Sequence, residues 1–283
     1  MTRFSTPVAA PPFGFIAGID FSCNPSRRKP VTVALGRLER GILTLLRLDA
    51  HATLDALSAW LATPGPWLGG FDFPFGLPRA FVDSNRLGAS SDAVIEAVRR
   101  RFPTRMAWRA FIDAWGHTQP AGQRLLHRRT DAATPGIRST SPLQTRYVPV
   151  GFMYHEGMQR LVDAGVSVPQ LRNGDPARVA LEAYPGLLAA ELIGRRSYKN
   201  SAAADRLGAR HALLDALEHN RSRLGVRLRL DAAQREHVAA DASGDRLDAV
   251  LCLVQAAWAS TRPGFGLPAA IDPVEGWIVS AGA

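Results

Sequence analysis

The stretch GFIAGIDFS, residues 14–22, sets an apolar run against one carboxylate at its end, Asp20. A second stretch, WLGGFDFPFGLP at residues 67–78, repeats the arrangement with Asp72. Short apolar runs bounded by turn residues read as interior strands, so each is expected to be a buried strand ending in an acid. A buried acid needs a partner, because an unpaired charge is costly to remove from water. Taken singly, either aspartate could do no more than close a turn by bonding its own backbone. Two such strands suggest acids delivered to one place.

Working outward, VTVALGRLERGILTLLRLD shows two β-like runs broken near Gly36 and Gly41, giving three strands before the first helix. That helix follows in ATLDALSAWLATPG, with Leu54, Leu57, Trp60 and Leu61 at helical spacing, Thr53 as cap and Pro64-Gly65 as stop. PWLGGFDFP is the fourth strand, and ARVALEAYPG the fifth, ending at Glu182. Between them lies a long, irregular, partly helical segment. Helical periodicity marks 188–193, 205–220 and 244–260. The order is that of an α/β sheet whose strand ends face one crevice.

Asp20, Asp72 and Glu182 each close a strand, and GDRLDAVLCLVQAAW adds Asp245 and Asp248, which at i and i+3 share a helix face. Clustered carboxylates raise one another's pKa unless a cation compensates them. Oxygen-only ligands select Mg²⁺ or Mn²⁺ over zinc. A plainer reading stands beside this one. Leu247, Val250, Leu251, Val254 and Trp258 form an apolar stripe, and Asp241, Asp245, Asp248 and Cys252 would then be its solvated side. Glu182 would be ordinary on an edge strand.

The chain has 283 residues with 46% hydrophobic content, enough for one elaborated domain over residues 1–283. No apolar run approaches the ~20 residues of a membrane span, and the opening MTRFSTPVAAPPFG lacks a signal-peptide core. Cys23 and Cys252 alone exclude a disulfide framework and a cysteine-built zinc site, so a cytoplasmic setting is expected. The net charge of +9 is carried almost wholly by arginine, with Lys29 and Lys199 the only lysines, a ratio that GC-rich codon usage explains. Its placement is more informative. Residues 79–150 hold twelve arginines against five acids, and are expected to form an inserted basic subdomain or lid. There Arg99, Arg100, Arg101, Arg105, Arg109, Arg124, Arg128 and Arg129 interleave with Phe102, Trp108, Phe111 and Trp115, as in a groove that pairs phosphates and stacks bases. Nucleic acid is the expected partner, with Arg100, Arg101, Arg105, Arg128, Arg129 and Lys199 as contacts. Alternatively, 99–109 is the wet face of one amphipathic helix, with Trp108, Phe111 and Trp115 turned inward.

Together GIDFS (18–22), FDFPFGLP (71–78), EAYPG (182–186), SYKN (197–200), DRLDAV (245–250) and EGWI (275–278) make the sequence resemble the domain of unknown function 429, a family of predicted nucleases of the ribonuclease-H-like fold. The resemblance implies a ribonuclease-H-like mixed sheet flanked by helices. It also implies a metal site built from Asp20, Asp72 or Glu182, and one of Asp245 and Asp248, with Asp248 favoured.

The function expected on this footing is divalent-metal-dependent hydrolysis of DNA or RNA phosphodiesters. Two ions about 3.5–4 Å apart would hold the scissile phosphate. Asp20 would bridge them, because its strand is central, and Asp72, Glu182 and Asp248 would complete the catalytic set. Two alternatives come from other classes. A phosphotransferase of the actin and sugar-kinase type is disfavoured because GIDFS lacks a second glycine and RPGFGLP carries no phosphate-binding lysine. A non-catalytic nucleic-acid-binding protein suits the basic segment, yet all the expected acids are present.

Overall fold

Alternation organises the centre of the molecule. In β1 (Phe15–Asp20), Ile16 packs toward one side of the sheet while Ala17 and Ile19 pack toward the other, as the period of two requires. The structure, a computed structural model, describes residues 13–282, so most of the N-terminal stretch read for a signal peptide lies outside the described residues.

Antiparallel to β1 runs β2 (Val31–Glu39), and antiparallel to that β3 (Ile42–His51). Arg40 and Gly41 join these two with φ of 50° and 79°, the left-handed pair that a two-residue hairpin demands. The expected helix, α1 (Leu54–Leu61), is capped by Thr53, whose hydroxyl accepts from the Ala56 amide at 3.1 Å. It leads to β4 (Trp67–Phe71), parallel to β1 on the side away from β2.

Four helices follow, α2 (Arg79–Ser84), α3 (Ser91–Arg101), α4 (Arg105–His117) and α5 (Val150–Asp163), then the short β5 (Val166–Ser167) and β6 (Asp175–Glu182), which pairs parallel to β4. The chain continues as α6 (Pro185–Ile193), α7 (Ala204–Glu218), β7 (Arg227–Arg229), α8 (Ala232–Ala239) and α9 (Asp245–Ser260). The result is a mixed seven-stranded sheet, ordered β5-β6-β4-β1-β2-β3-β7. The edge strands β5 and β7 are too short to leave a pattern in the sequence. No helix among the described residues is long and apolar enough to cross a membrane.

Each face of the sheet carries a core. One is made with α1 to α5, the other with α6 to α9. The basic segment 79–150 contributes to the first, sharing a cluster with Ile19 and Phe71. The single amphipathic helix over 99–109 does not form. Pro103 ends α3, and Thr104 caps α4 by accepting from the Ala107 amide. Phe102, Trp108 and Trp115 are buried, and Phe102 stacks on Phe111 with ring centroids 4.3 Å apart. These aromatics are core rather than base-stacking surface.

The solvated face of the plainer reading is absent from the last helix beyond its first residues, Asp245 and Arg246 being half-buried. Every residue from Leu247 to Ala259 is buried, because α9 lies flat across β1, β2 and β4 beneath α6 and α8.

Candidate functional site

Register decides which acids meet. Ile19, Phe71 and Glu182 lie level across three parallel strands, and the next rung sets Asp20 beside Asp72. One residue further along a strand is the opposite face. The aspartates therefore point toward α9, whereas Glu182 points with Ile19 and Phe71 toward the other core.

Glycine brings α9 within reach. A Cβ on Gly18 would lie 2.1 Å from the Ala249 carbonyl oxygen and the Leu253 nitrogen, and one on Gly70 would lie 2.7 Å from the Cys252 carbonyl oxygen. Each glycine sits two residues before its aspartate on the same face, so the gap that admits the helix leads directly to the acids. Asp248, in the first turn of α9, completes the set. Asp20, Asp72 and Asp248 each offer an oxygen, all within 4.8 Å of one another.

Asp20 and Asp248 are buried and Asp72 is partly so. Among the described residues no hydrogen bond reaches the carboxylates of Asp20 or Asp72. Asp248 differs. Its Oδ1 accepts from the Tyr198 hydroxyl at 2.6 Å, and its Oδ2 forms an ion pair with the Lys199 ammonium. Burial, reinforced by the charges of Asp245 and Asp72, pushes the Asp20 carboxyl well above its ordinary value. Burial likewise lifts Asp72 to about 6, against the pull of Lys199. Burial also raises the Tyr198 phenol, which keeps it a proton donor to Asp248.

Asp245 stands one turn before Asp248, outside the converging three, yet its charge acts on Asp20 and Asp72. Asp241 caps the preceding turn, accepting from the Ser243 hydroxyl at 2.7 Å and the Arg246 amide at 3.0 Å.

Both Glu182 oxygens are engaged. Oε1 accepts from Arg128 Nη2 at 2.6 Å, and Oε2 from Arg128 Nη1 at 2.8 Å and the Phe75 amide at 2.9 Å. Arg128 is itself buried and pairs with Asp131 at 2.8 Å. Burial opposes its charge, but the two carboxylates outweigh burial and hold the guanidinium protonated. Expected from the sequence to touch nucleic acid, Arg128 instead has its guanidinium committed inside the protein. Arg105 donates to the Cys23 carbonyl and pairs with Glu156. Arg100, Arg101 and Arg129 are exposed, and Arg101 lies over the Phe102 and Phe111 rings.

Beside the carboxylates opens a cleft of about 350 Å³, within the range of about 300–1,000 Å³ typical of ligand sites. Asp72 and Lys199 stand on its polar side, and Phe73, Met153, Tyr184 and Pro185 on its apolar side. Tyr198, which the sequence offers with Lys199 as a phosphate contact or a mere loop residue, lines it, as does Tyr184, which the sequence does not single out. The signal was present in SYKN and EAYPG, but a tyrosine on a loop shows nothing of what it faces.

The family model described as a protein of unknown function, DUF429, matches residues 18–267. The chain belongs to this family. Within the matched DUF429 region lie all three converging aspartates, Tyr198 and Lys199. The EGWI motif falls beyond it, although Ile278 pairs with Glu182 in a parallel bridge. No curated protein and no solved structure matches the chain.

Proposed function

We propose that this DUF429 protein is a divalent-metal-dependent nuclease of the ribonuclease-H-like fold, acting on nucleic-acid phosphodiesters in the cytoplasm. The convergence of Asp20, Asp72 and Asp248 beside a ligand-sized cleft that Asp72 lines carries the reading. The ribonuclease-H-like assignment is supported by three antiparallel strands followed by parallel β4 and β6 on the far side of β1. Two buried free thiols suit a reducing compartment.

The donor set fits a hard cation. Three carboxylates, one ending β1, one just past β4 and one in a helix, supply oxygen only, and among the described residues two of them lack any hydrogen-bond donor, which matches Mg²⁺ or Mn²⁺. A divalent ion bound there supplies polarisation of a phosphoryl oxygen and activation of water. Asp20, fixed on the central strand, holds the middle position. Tyr198 orients Asp248 by its 2.6 Å hydrogen bond. Lys199, at the rim of the cleft, attracts a phosphate to the acids. Glu182 keeps Arg128 charged and the floor of the cleft rigid, leaving Asp245, whose charge acts on Asp20 and Asp72, as an additional carboxylate.

One observation favours a second reading. The ion pair between Lys199 and Asp248 neutralises part of the cluster without metal, as a non-catalytic nucleic-acid-binding protein would need. Calorimetric Mn²⁺ titration, run beside cleavage of a DNA and RNA panel, separates the two. We expect wild-type protein to bind Mn²⁺ and cleave, and Asp20→Asn to lose both while its Tm in EDTA rises through relief of like-charge repulsion. Equal Mn²⁺ affinity and turnover in wild type and Asp20→Asn would reject the metal site.

A further inference from the structure

A second depression adjoins the cleft. It is a groove of about 530 Å³ between α6 and the start of α7, walled by the 194–201 loop, and it shares Gly186, Tyr198 and Lys199 with the cleft. Arg195, Arg196, Ser197, Asn200 and Arg206 face it, and no acidic side chain lines it.

These cations are largely uncommitted. Among the described residues Arg195 makes no ion pair or hydrogen bond, and the only hydrogen bond of Arg196 runs from Nε to the Ile193 carbonyl, at 3.4 Å. Arg206 touches only Asp205, at 3.5 Å, whose side chain is 74% exposed, so solvent screens the pair. In the basic segment Arg79, Arg99, Arg105, Arg128 and Arg146 are paired with carboxylates of this same chain, whereas others there, Arg100 and Arg129 among them, form no ion pair among the described residues but do not line the groove. Net charge placed 79–150 first, but the free charge next to the aspartates belongs to the 194–201 loop.

The loop is also firmly mounted. Arg210, fully buried, donates from Nη1 to the Tyr198 and Ser201 carbonyls, at 2.8 and 3.1 Å. The Asn200 and Ser201 amides donate to the Ser243 and Ala242 carbonyls, in the turn that starts α9. The backbone that carries Lys199 to Asp248 thus also fixes the groove relative to the site.

We propose that this groove is the track for the phosphates of a single-stranded nucleic acid, leading past Lys199 to the three aspartates. The inference rests on the nuclease reading. Guanidinium groups grip phosphates through paired N–H donors, and Ser197 and Asn200 add neutral ones. A single strand is required because the cleft beside Asp72 receives an unpaired base against Phe73, Tyr184 and Met153, and a duplex keeps its bases stacked inside.

The test is fluorescence anisotropy with a short labelled oligodeoxythymidine, over a salt series in EDTA. Each phosphate contact contributes about 0.7 to the slope of log K against log salt on single strands, so Arg195→Gln/Arg196→Gln should lower it by about 1.4. The charge-matched Arg37→Gln/Arg40→Gln, on the β2–β3 hairpin, should leave it unchanged. Both groove arginines are exposed, and an unaltered Tm confirms that the variant folds. An unchanged slope in the groove variant overturns the proposal. So does failure of wild-type protein to bind the strand, tighter binding of the duplex, or a loss of slope in Arg100→Gln/Arg101→Gln in its place. Because metal is absent from this assay, these failures are distinct from failure of the metal reading, which is judged by Mn²⁺ calorimetry.

Discussion

Asp72 titrates where a physiological ligand would feel it. Burial raises its carboxyl from 3.8 to about 6 in the folded protein, so across that interval the folded chain keeps a proton that the unfolded chain has released. Stability falls wherever the native state binds more protons, and the metal-free protein should therefore lose stability as pH rises through this window. Asp20 and Asp245, raised in the same direction, add to the fall. Mn²⁺ competes with those protons, so its affinity should climb over the same range and level off above it. Urea midpoints of wild type and Asp72→Asn from pH 4 to 8 in EDTA check this, because the comparison cancels His51 and His127, whose pKa values burial lowers and which act in the opposite sense; a wild-type midpoint that gains on the variant's as pH rises would contradict it. Asp20 and Asp72 were legible as a pair because each ends an apolar run two residues after a glycine. Glu182 also ends a strand, and there the sequence misleads. Which face a terminal acid takes depends on register against β4, and register is settled between strands rather than within one.

At the scale of elements, the contact between α9 and the sheet is set by what is missing from Gly18 and Gly70. Gly18→Ala forces a Cβ against backbone atoms at 2.1 Å, whereas Gly70→Ala meets one backbone oxygen at 2.7 Å. Overpacking typically costs about 1–3 kcal/mol, and Gly18→Ala should exceed that range because backbone must move. Gly70→Ala should stay within it. Denaturant unfolding ranks the two, and equal midpoints would mean that α9 can lift off without cost. Lifting also draws Asp248 away from its partners, so Gly18→Ala should weaken Mn²⁺ binding as well. The helix was visible in the sequence from its stripe, but its total burial was not. Periodicity reports one apolar face, and the small residues Ala249, Cys252 and Ala256 pass for neutral until a sheet lies against them.

Across the whole molecule, Arg128 binds three regions distant in sequence. Besides Asp131 and Glu182 it donates to the Glu275 carbonyl at 3.0 Å, joining the basic segment, β6 and residues 275–279. Glu275 reinforces the junction by accepting from the Arg79 and Arg129 amides, at 2.9 Å each. Arg128→Met would strand two buried carboxylates, and breaking such a pair costs about 3–5 kcal/mol. Adding Glu182→Gln to Arg128→Met should recover part of that loss by removing one stranded charge. Thermal unfolding of both variants measures it, and additive losses would show that the two side chains are not coupled. Composition located the positive charge correctly in 79–150, yet counting charges cannot reveal which arginines are spent on the protein itself.

The Glu275 carbonyl that accepts from Arg128 lies 147 residues further along the chain. On a ribosome adding about 5–20 residues per second, roughly 7–30 s separate the two. Glu182 itself arrives 54 residues after Arg128, ahead of that seal. During synthesis, then, Arg128 can meet Asp131 and Glu182 first, and its last acceptor closes the junction only when the later segment emerges. The junction thus acts as a latch closed by late-made chain, and a nascent protein stalled before it would carry the aspartates of β1 and β4 on an unfinished floor.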